Sequence, residues 1–165
     1  MSFFKVPNSS PPLIDFAPGV WTALMEDLRV RGQGRRESGA FLLAGATADP
    51  PIITSWLPYD ELAPESLAYD YVRLEPEAFT RLWAYCADKQ VKVVADIHTH
   101  PKGPGQSPSD KKHPMVAFAG HVALIAPWFA QRSHTPRDVS LNVYQGGGKW
   151  LNYFNEEAAA RIGAP

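Results

Sequence analysis

Proline restricts this chain more than any other residue: it fills 16 of 165 positions, about twice the usual ~5%. A proline has no amide hydrogen to donate and a fixed φ, so it begins or ends regular elements rather than continuing them. Several of the prolines bound short apolar segments. Ile52–Leu57 lies between Pro50-Pro51 and Pro58, and Pro76 opens a helical pattern. The longest uncharged apolar run, Val122 to Ala130, has nine residues, far short of the ~20 that span a bilayer.

Between these stops, periodicity assigns the elements. After Pro18, the residues Trp21, Leu24, Met25 and Leu28 fall at i, i+3, i+4, i+7 and predict an amphipathic helix ended by Gly32 and Gly34. Strands are predicted at Glu37–Ala44, with a carboxylate at its start, at Ile52–Leu57 and, from alternating polarity, at Tyr69–Leu74. The Pro76 helix has the stripe Phe79, Leu82, Trp83 and Cys86. Val91–Ile97 is expected to place Val91, Val93, Ala95 and Ile97 on one strand face, and Val122–Ala126 and Val139–Tyr144 are two further strands. Gly146-Gly147-Gly148 turns the chain into Trp150–Phe154, and a short helix near Glu156–Ile162 ends it. The first twelve residues, closing on Ser9-Ser10-Pro11-Pro12, read as an extended arm. The expected fold class is α/β (α+β layered): one domain over residues 1–165, with a mixed central sheet of seven strands flanked by three helices.

Composition then removes function classes. Sixteen Lys/Arg against 17 Asp/Glu leave a net charge of −1, which gives no electrostatic footprint for nucleic acid or for an anionic membrane surface. One cysteine, Cys86, excludes an internal disulfide framework, a thiolate-rich zinc module and a zinc nucleobase deaminase, whose ligands include two cysteines. Any metal site must therefore use mainly histidine and carboxylate. The N-terminal residues have no apolar run of the secretory kind, and with an unpaired cysteine the expected compartment is the cytoplasm.

One segment meets the metal requirement. In Ile97-His98-Thr99-His100-Pro101 the two histidines stand two apart at the end of a predicted strand, so both imidazoles project to the same side. Asp110 follows ten positions after His100, within Ser107-Pro108-Ser109-Asp110. That tetrapeptide is also a good helix start, with serine as cap, proline at the first position and aspartate at the third. The two uses are compatible, because a carboxylate in the first turn can cap and face a metal together. Two imidazoles and one carboxylate leave a position open, the arrangement of a catalytic rather than a structural zinc. Such a site also needs a general base, commonly a carboxylate.

His98-Thr99-His100-Pro101 followed by Ser107-Pro108-Ser109-Asp110, with the upstream Glu37 in Glu37-Ser38-Gly39-Ala40-Phe41, resembles the JAMM (MPN-plus) metalloproteases, and within them the compact prokaryotic JAB-type deubiquitinase-like peptidases. The loop from Pro101 to Ser107 holds five residues, one fewer than is usual in that family. The resemblance implies that His98, His100 and Asp110 bind one Zn2+, that Glu37 is the general base on the attacking water, and that Ser107 helps hold the oxyanion. It further implies hydrolysis of the amide after the C-terminal glycine of a ubiquitin-like protein, deconjugating or maturing it. The partners would be that protein, its conjugates and enzymes of the conjugation pathway; a bacterial antiviral pathway is one such setting. The same site would serve a processing peptidase of sulfur-carrier metabolism or phage tail assembly. A non-catalytic MPN-type interaction module is the reading of another class, and such modules typically lack the ligands.

The remaining candidates read as structural. Cys86 lies on an apolar stripe and is expected in the core; His113 reads as a residue of the surface or the site's surroundings, and His121 and His134 as surface residues. Asp96, on the opposite strand face from Ile97, is a candidate to orient a ligand histidine. Trp128-Phe129 fits a partner contact and core packing equally.

Overall fold

The stripe Trp21, Leu24, Met25 and Leu28 becomes the buried side of helix α1 (Val20–Gly32). The computed structural model describes residues 11–67 and 73–165. Along the described chain, strand β1 (Ile14–Phe16) precedes α1 and is followed by β2 (Gly39–Ala44), β3 (Ile52–Pro58), α2 (Tyr59–Leu62), α3 (Pro76–Lys89) and β4 (Lys92–Thr99). Then come α4 (Pro108–Lys112), β5 (Val122–Ala126), β6 (Ser140–Gly146), β7 (Lys149–Tyr153), α5 (Asn155–Ala159) and β8 (Ile162–Gly163). The eight strands form one mixed sheet in the order β7-β6-β5-β4-β2-β3-β1-β8. This is the layered α/β class expected from the sequence, with a mixed central sheet flanked by helices.

The sheet is covered on both faces, and β2 shows how. Ala40 and Leu42 point into a core shared with α1, which also holds Ile53, Ile97, Leu124 and Leu141. Phe41 and Leu43 point the other way, against Tyr59 and Leu62 of α2 and Leu82 and Cys86 of α3. All six β2 residues are buried, which explains why the segment reads as a continuous apolar run rather than an alternating one. Cys86 is a packed core residue, and burial raises the pKa of its thiol. Arg31 of α1 bonds Asp27, Asp60 and Glu61, and so fastens α2 to α1.

Several expectations need correction. Val91 and Val93 pack with the α3 core, whereas Ala95 and Ile97 pack with the α1 core. Leu42 pairs with Ala95 but Leu43 with Val93, so Val94 is an extra residue in a bulge, and the period of two changes phase there. Trp83 is 51% exposed, and Tyr85 packs on the α3 core instead. The strand expected at Tyr69–Leu74 lies mostly outside the described residues; Arg73 and Leu74 belong to no strand. Most of the expected N-terminal arm is also outside them. The C-terminal helix stops at Ala159, and β8 follows it to pair in parallel with β1. These two strands, of three and two residues, are too short for periodicity to detect. Among the described residues, no helix is long and apolar enough to cross a membrane.

Glycine is required at two places. Gly146, Gly147 and Gly148 all adopt positive φ in the β6–β7 turn, as the sequence implied for a hairpin. Gly39 pairs with His98 across the sheet, and a Cβ there would lie 2.4 Å from Tyr59 Cε2 and 2.6 Å from the Ile97 carbonyl oxygen. The backbone atom cannot retreat without breaking the sheet. Gly39→Ala is therefore expected to destabilise the protein by about 1–3 kcal/mol, a Tm fall of roughly 2–12 °C. A thermal melt checks this, and an unchanged Tm would contradict the assigned packing.

Candidate metal centre

Strand β4 brings both histidines to one place. It runs antiparallel to β2 and parallel to β5, and His98 and His100 stand at its C-terminal end. Ligand sites in α/β sheets commonly lie at the carboxyl ends of strands, where connections leave the sheet. Between the histidines, Thr99 is fully buried; its N–H donates to the Ser38 carbonyl at 2.8 Å and its Oγ1 accepts from the Ser38 N–H at 2.9 Å. Ser38 Oγ in turn donates to the Leu28 carbonyl of α1 at 2.8 Å. The strand end that carries the imidazoles is thus tied to the residue after Glu37 and to the helix beneath.

The third group arrives on a capped helix. The Asp110 N–H donates to Ser107 Oγ at 3.1 Å and the Ser107 N–H donates to Asp110 Oδ2 at 2.7 Å, a reciprocal capping box. The same carboxylate faces the histidines: Oδ2 is 3.1 Å from His100 Nε2 and Oδ1 is 3.4 Å from His98 Nε2. The two Nε2 atoms are 3.0 Å apart. Bonds of 2.0–2.1 Å to a tetrahedral ion put its ligand atoms about 3.3 Å from one another, so these separations fit a metal. His98, His100 and Asp110 can together hold an ion, with one ligand atom from each inside a 4.8 Å group. The short Pro101–Ser107 loop does not prevent this. It is supported by Ser140 Oγ, which donates to the Pro104 carbonyl at 2.6 Å, and by Asn152, which donates to Gln106 Oε1 at 2.7 Å.

Electrostatics follow from the convergence. Burial of the His98 ring lowers its pKa, but the Asp110 hydrogen bond and charge, with Glu37 and Asp96 nearby, outweigh it and raise the pKa above the ordinary value. Burial raises the Asp110 pKa, yet hydrogen bonds from His100 and His98 hold it far below the usual carboxylate range.

A cavity of about 80 Å³ adjoins the group, lined by Glu37, Asp96, His98, Asp110, Ile125 and Trp150 among others. Glu37 is buried, 5% exposed, and lines this cavity together with His98 and Asp110. Ser107 is the cap of α4 rather than a lining residue; its Oγ accepts from Asp110 and retains its own proton for donation. His113 is exposed and lines the cavity rim. His121 and His134, read from sequence as surface residues, are both buried at 8% exposure. His121 Nε2 lies 2.6 Å from Asp96 Oδ2, while Tyr59 donates to Asp96 Oδ1 at 3.4 Å. Asp96 therefore bonds His121 and Tyr59, and acts on His98 through its charge. A lone aspartate inside a buried strand was the available signal; nothing in the sequence marked His121 as its partner.

Immediately after β5, Trp128, Phe129 and Ala130 have φ of 55°, 52° and 55°. This is a left-handed turn built without glycine, at a cost of roughly 1–2 kcal/mol per residue. Trp128 is 45% exposed and Phe129 is partly buried.

No protein-family model matches the sequence. Solved structures of similar fold include a protein from Desulfitobacterium hafniense, at TM-score 0.60 and 13% identity, covering 86% of this chain and 90% of that one. A protein from Salinibacter ruber aligns at TM-score 0.55 and 15% identity, covering 92% of this chain and 91% of that one. At these identities the likeness concerns the fold alone.

The two pKa shifts set a pH window for the metal-free protein. The depressed Asp110 pKa contributes stability above an unfolded value of about 3.9, lost as pH falls through the folded pKa; the raised His98 pKa contributes stability below about 6.5, lost as pH rises through its folded value. Asp110→Asn, which still caps a helix, should lower the His98 pKa. The stability gap between wild type and variant should be widest near about pH 5 and shrink by about pH 8. Thermal melts across pH and an imidazole NMR titration test this; an unchanged His98 pKa would refute the pairing.

Proposed function

We propose that this protein is a zinc-dependent isopeptidase or peptidase of the JAMM type, hydrolysing the amide bond after the C-terminal glycine of a ubiquitin-like protein. The observation that carries the reading is the convergence of His98, His100 and Asp110 beside a cavity in which Glu37 is buried. Zinc held by two imidazoles and a carboxylate supplies Lewis acidity, making a water more acidic and a carbonyl more electrophilic. The chain's own residues do the rest. Glu37 removes the proton from the attacking water and delivers it to the leaving amine, a transfer that a shielded carboxylate suits. Ser107 helps hold the oxyanion by a hydrogen bond from its hydroxyl. Asp110, held by the Ser107 cap, keeps the ligand geometry rigid while charge moves.

The partners in this reading are a ubiquitin-like protein, its conjugates and the enzymes that form them. A reducing cytoplasm suits a chain whose one cysteine is buried in the core with a raised thiol pKa.

The decisive experiment incubates the protein with candidate ubiquitin-like conjugates, with and without a chelator, and reads the new C-terminus by mass spectrometry. Cleavage after glycine that the chelator abolishes is expected. Glu37→Gln should retain stoichiometric zinc and lose roughly 10²–10⁴-fold in hydrolysis, whereas His98→Ala should lose both. Full activity in a verified metal-free preparation would overturn the mechanism.

A further inference from the structure

The left-handed turn at Trp128–Ala130 makes its hydrogen bonds in an informative place. The Phe129 N–H donates to the carbonyl of His100 at 2.8 Å, and the Trp128 N–H donates to the carbonyl of Lys102 at 2.9 Å. The His100 N–H donates to the carbonyl of Ala126, at the end of β5, at 2.9 Å. Both backbone groups of one metal-binding residue are therefore engaged by the few residues at and just before this turn. The Lys102 bond holds the first part of the loop that leads to Asp110.

The turn is anchored from behind. Its own bonds run from the Ala130 N–H to the Pro127 carbonyl and from the Gln131 N–H to the Trp128 carbonyl, at 3.0 and 2.9 Å. Ala130 is buried at 1% exposure in the core beneath α1, and Phe129 lies close against Gly32 at the end of α1. Strained backbone persists only where its surroundings over-determine it, and such residues gather at functional sites. A plain chain reversal could use glycine or asparagine without the steric cost. Here three ordinary L-residues sustain left-handed backbone, and the amides of the first two bond the chain at the second histidine.

We propose that the turn Trp128–Ala130 is a backbone brace that fixes His100 in its ligand position, aligning the centre before any metal arrives. This rests on the reading of His98, His100 and Asp110 as a metal centre. Trp128 and Phe129 are positioning residues: they act through His100 and Lys102, and their main-chain conformation matters more than their side chains.

The test separates conformation from side chain. Phe129→Gly keeps the amide and accepts positive φ, so its cobalt affinity should stay within about twofold of wild type. Phe129→Val keeps the amide but resists left-handed backbone, and Phe129→Pro removes the donor and imposes negative φ. Both should weaken cobalt binding about tenfold or more, as loss of support around metal ligands does, and should alter the cobalt absorption bands. In the metal-free protein, the His100 imidazole 1H–15N signals should move in Phe129→Val and stay in place in Phe129→Gly. Hydrogen exchange on the wild type needs no variant: the Phe129 and Trp128 amides should be protected like those of β5. Wild-type cobalt affinity and unmoved His100 signals in a folded Val or Pro variant would overturn the brace, as would unprotected turn amides. Wild-type protein that takes up neither cobalt nor zinc would instead refute the metal-centre reading, while the imidazole signals and amide protection would still decide the brace.

Discussion

The site depends on β4 being hydrogen-bonded along both edges, to β2 on one side and β5 on the other. A strand held in this way cannot slide by one residue without turning its side chains to the opposite face. That constraint fixes the direction of His98, and through the buried Ser38–Thr99 pair it also fixes where the chain carrying Glu37 meets β4. The missing side chain at Gly39 lets Tyr59 pack directly against the paired strands. Tyr59 then reaches Asp96, whose other oxygen holds His121. Core packing and the polar surroundings of the candidate centre are thus parts of one arrangement.

Asp110 shows how little chain the centre needs. One carboxylate caps a five-residue helix and lies against two imidazoles. Because the cap sets the aspartate's rotamer and α4 is tied to β7 by the Trp150 bond to the Lys111 carbonyl, the ligand is placed by local and long-range contacts together. The cap and a place in a group that could hold an ion are two uses of the same carboxylate, so the helix-start reading and the metal reading of Ser107–Asp110 do not compete. Opposite this, the left-handed turn after β5 spends conformational energy beside the second histidine, where a small displacement would separate the ligand atoms.

What could be read directly was what local geometry controls. The i, i+2 spacing of His98 and His100 works because any extended backbone puts such residues on one side, and the Ser107–Asp110 cap works because it closes within one helical turn. The α1 stripe held for the same reason, and mostly apolar character marked β2 as a buried strand. Other expectations failed. The bulge at Val94 reversed which face Val91 and Val93 occupy, since the pairing with β2 admits an extra residue. Trp83 took a helical position that turns away from the sheet, and His121 acquired its meaning only when the β4–β5 pairing brought it against Asp96.

The amino-acid sequence alone determined the candidate group of two histidines and one aspartate, the exclusion of thiolate-rich alternatives and the layered class of the fold. Each follows from residue chemistry or from repeats shorter than ten residues. Only the tertiary structure decided that Glu37, some sixty residues before the histidines, shares a cavity with His98 and Asp110, and that a left-handed turn bonds the backbone of His100. These relations depend on sheet order, on burial and on backbone hydrogen bonds between distant segments. Such hydrogen bonds involve groups common to every residue, so side-chain identity does not reveal them.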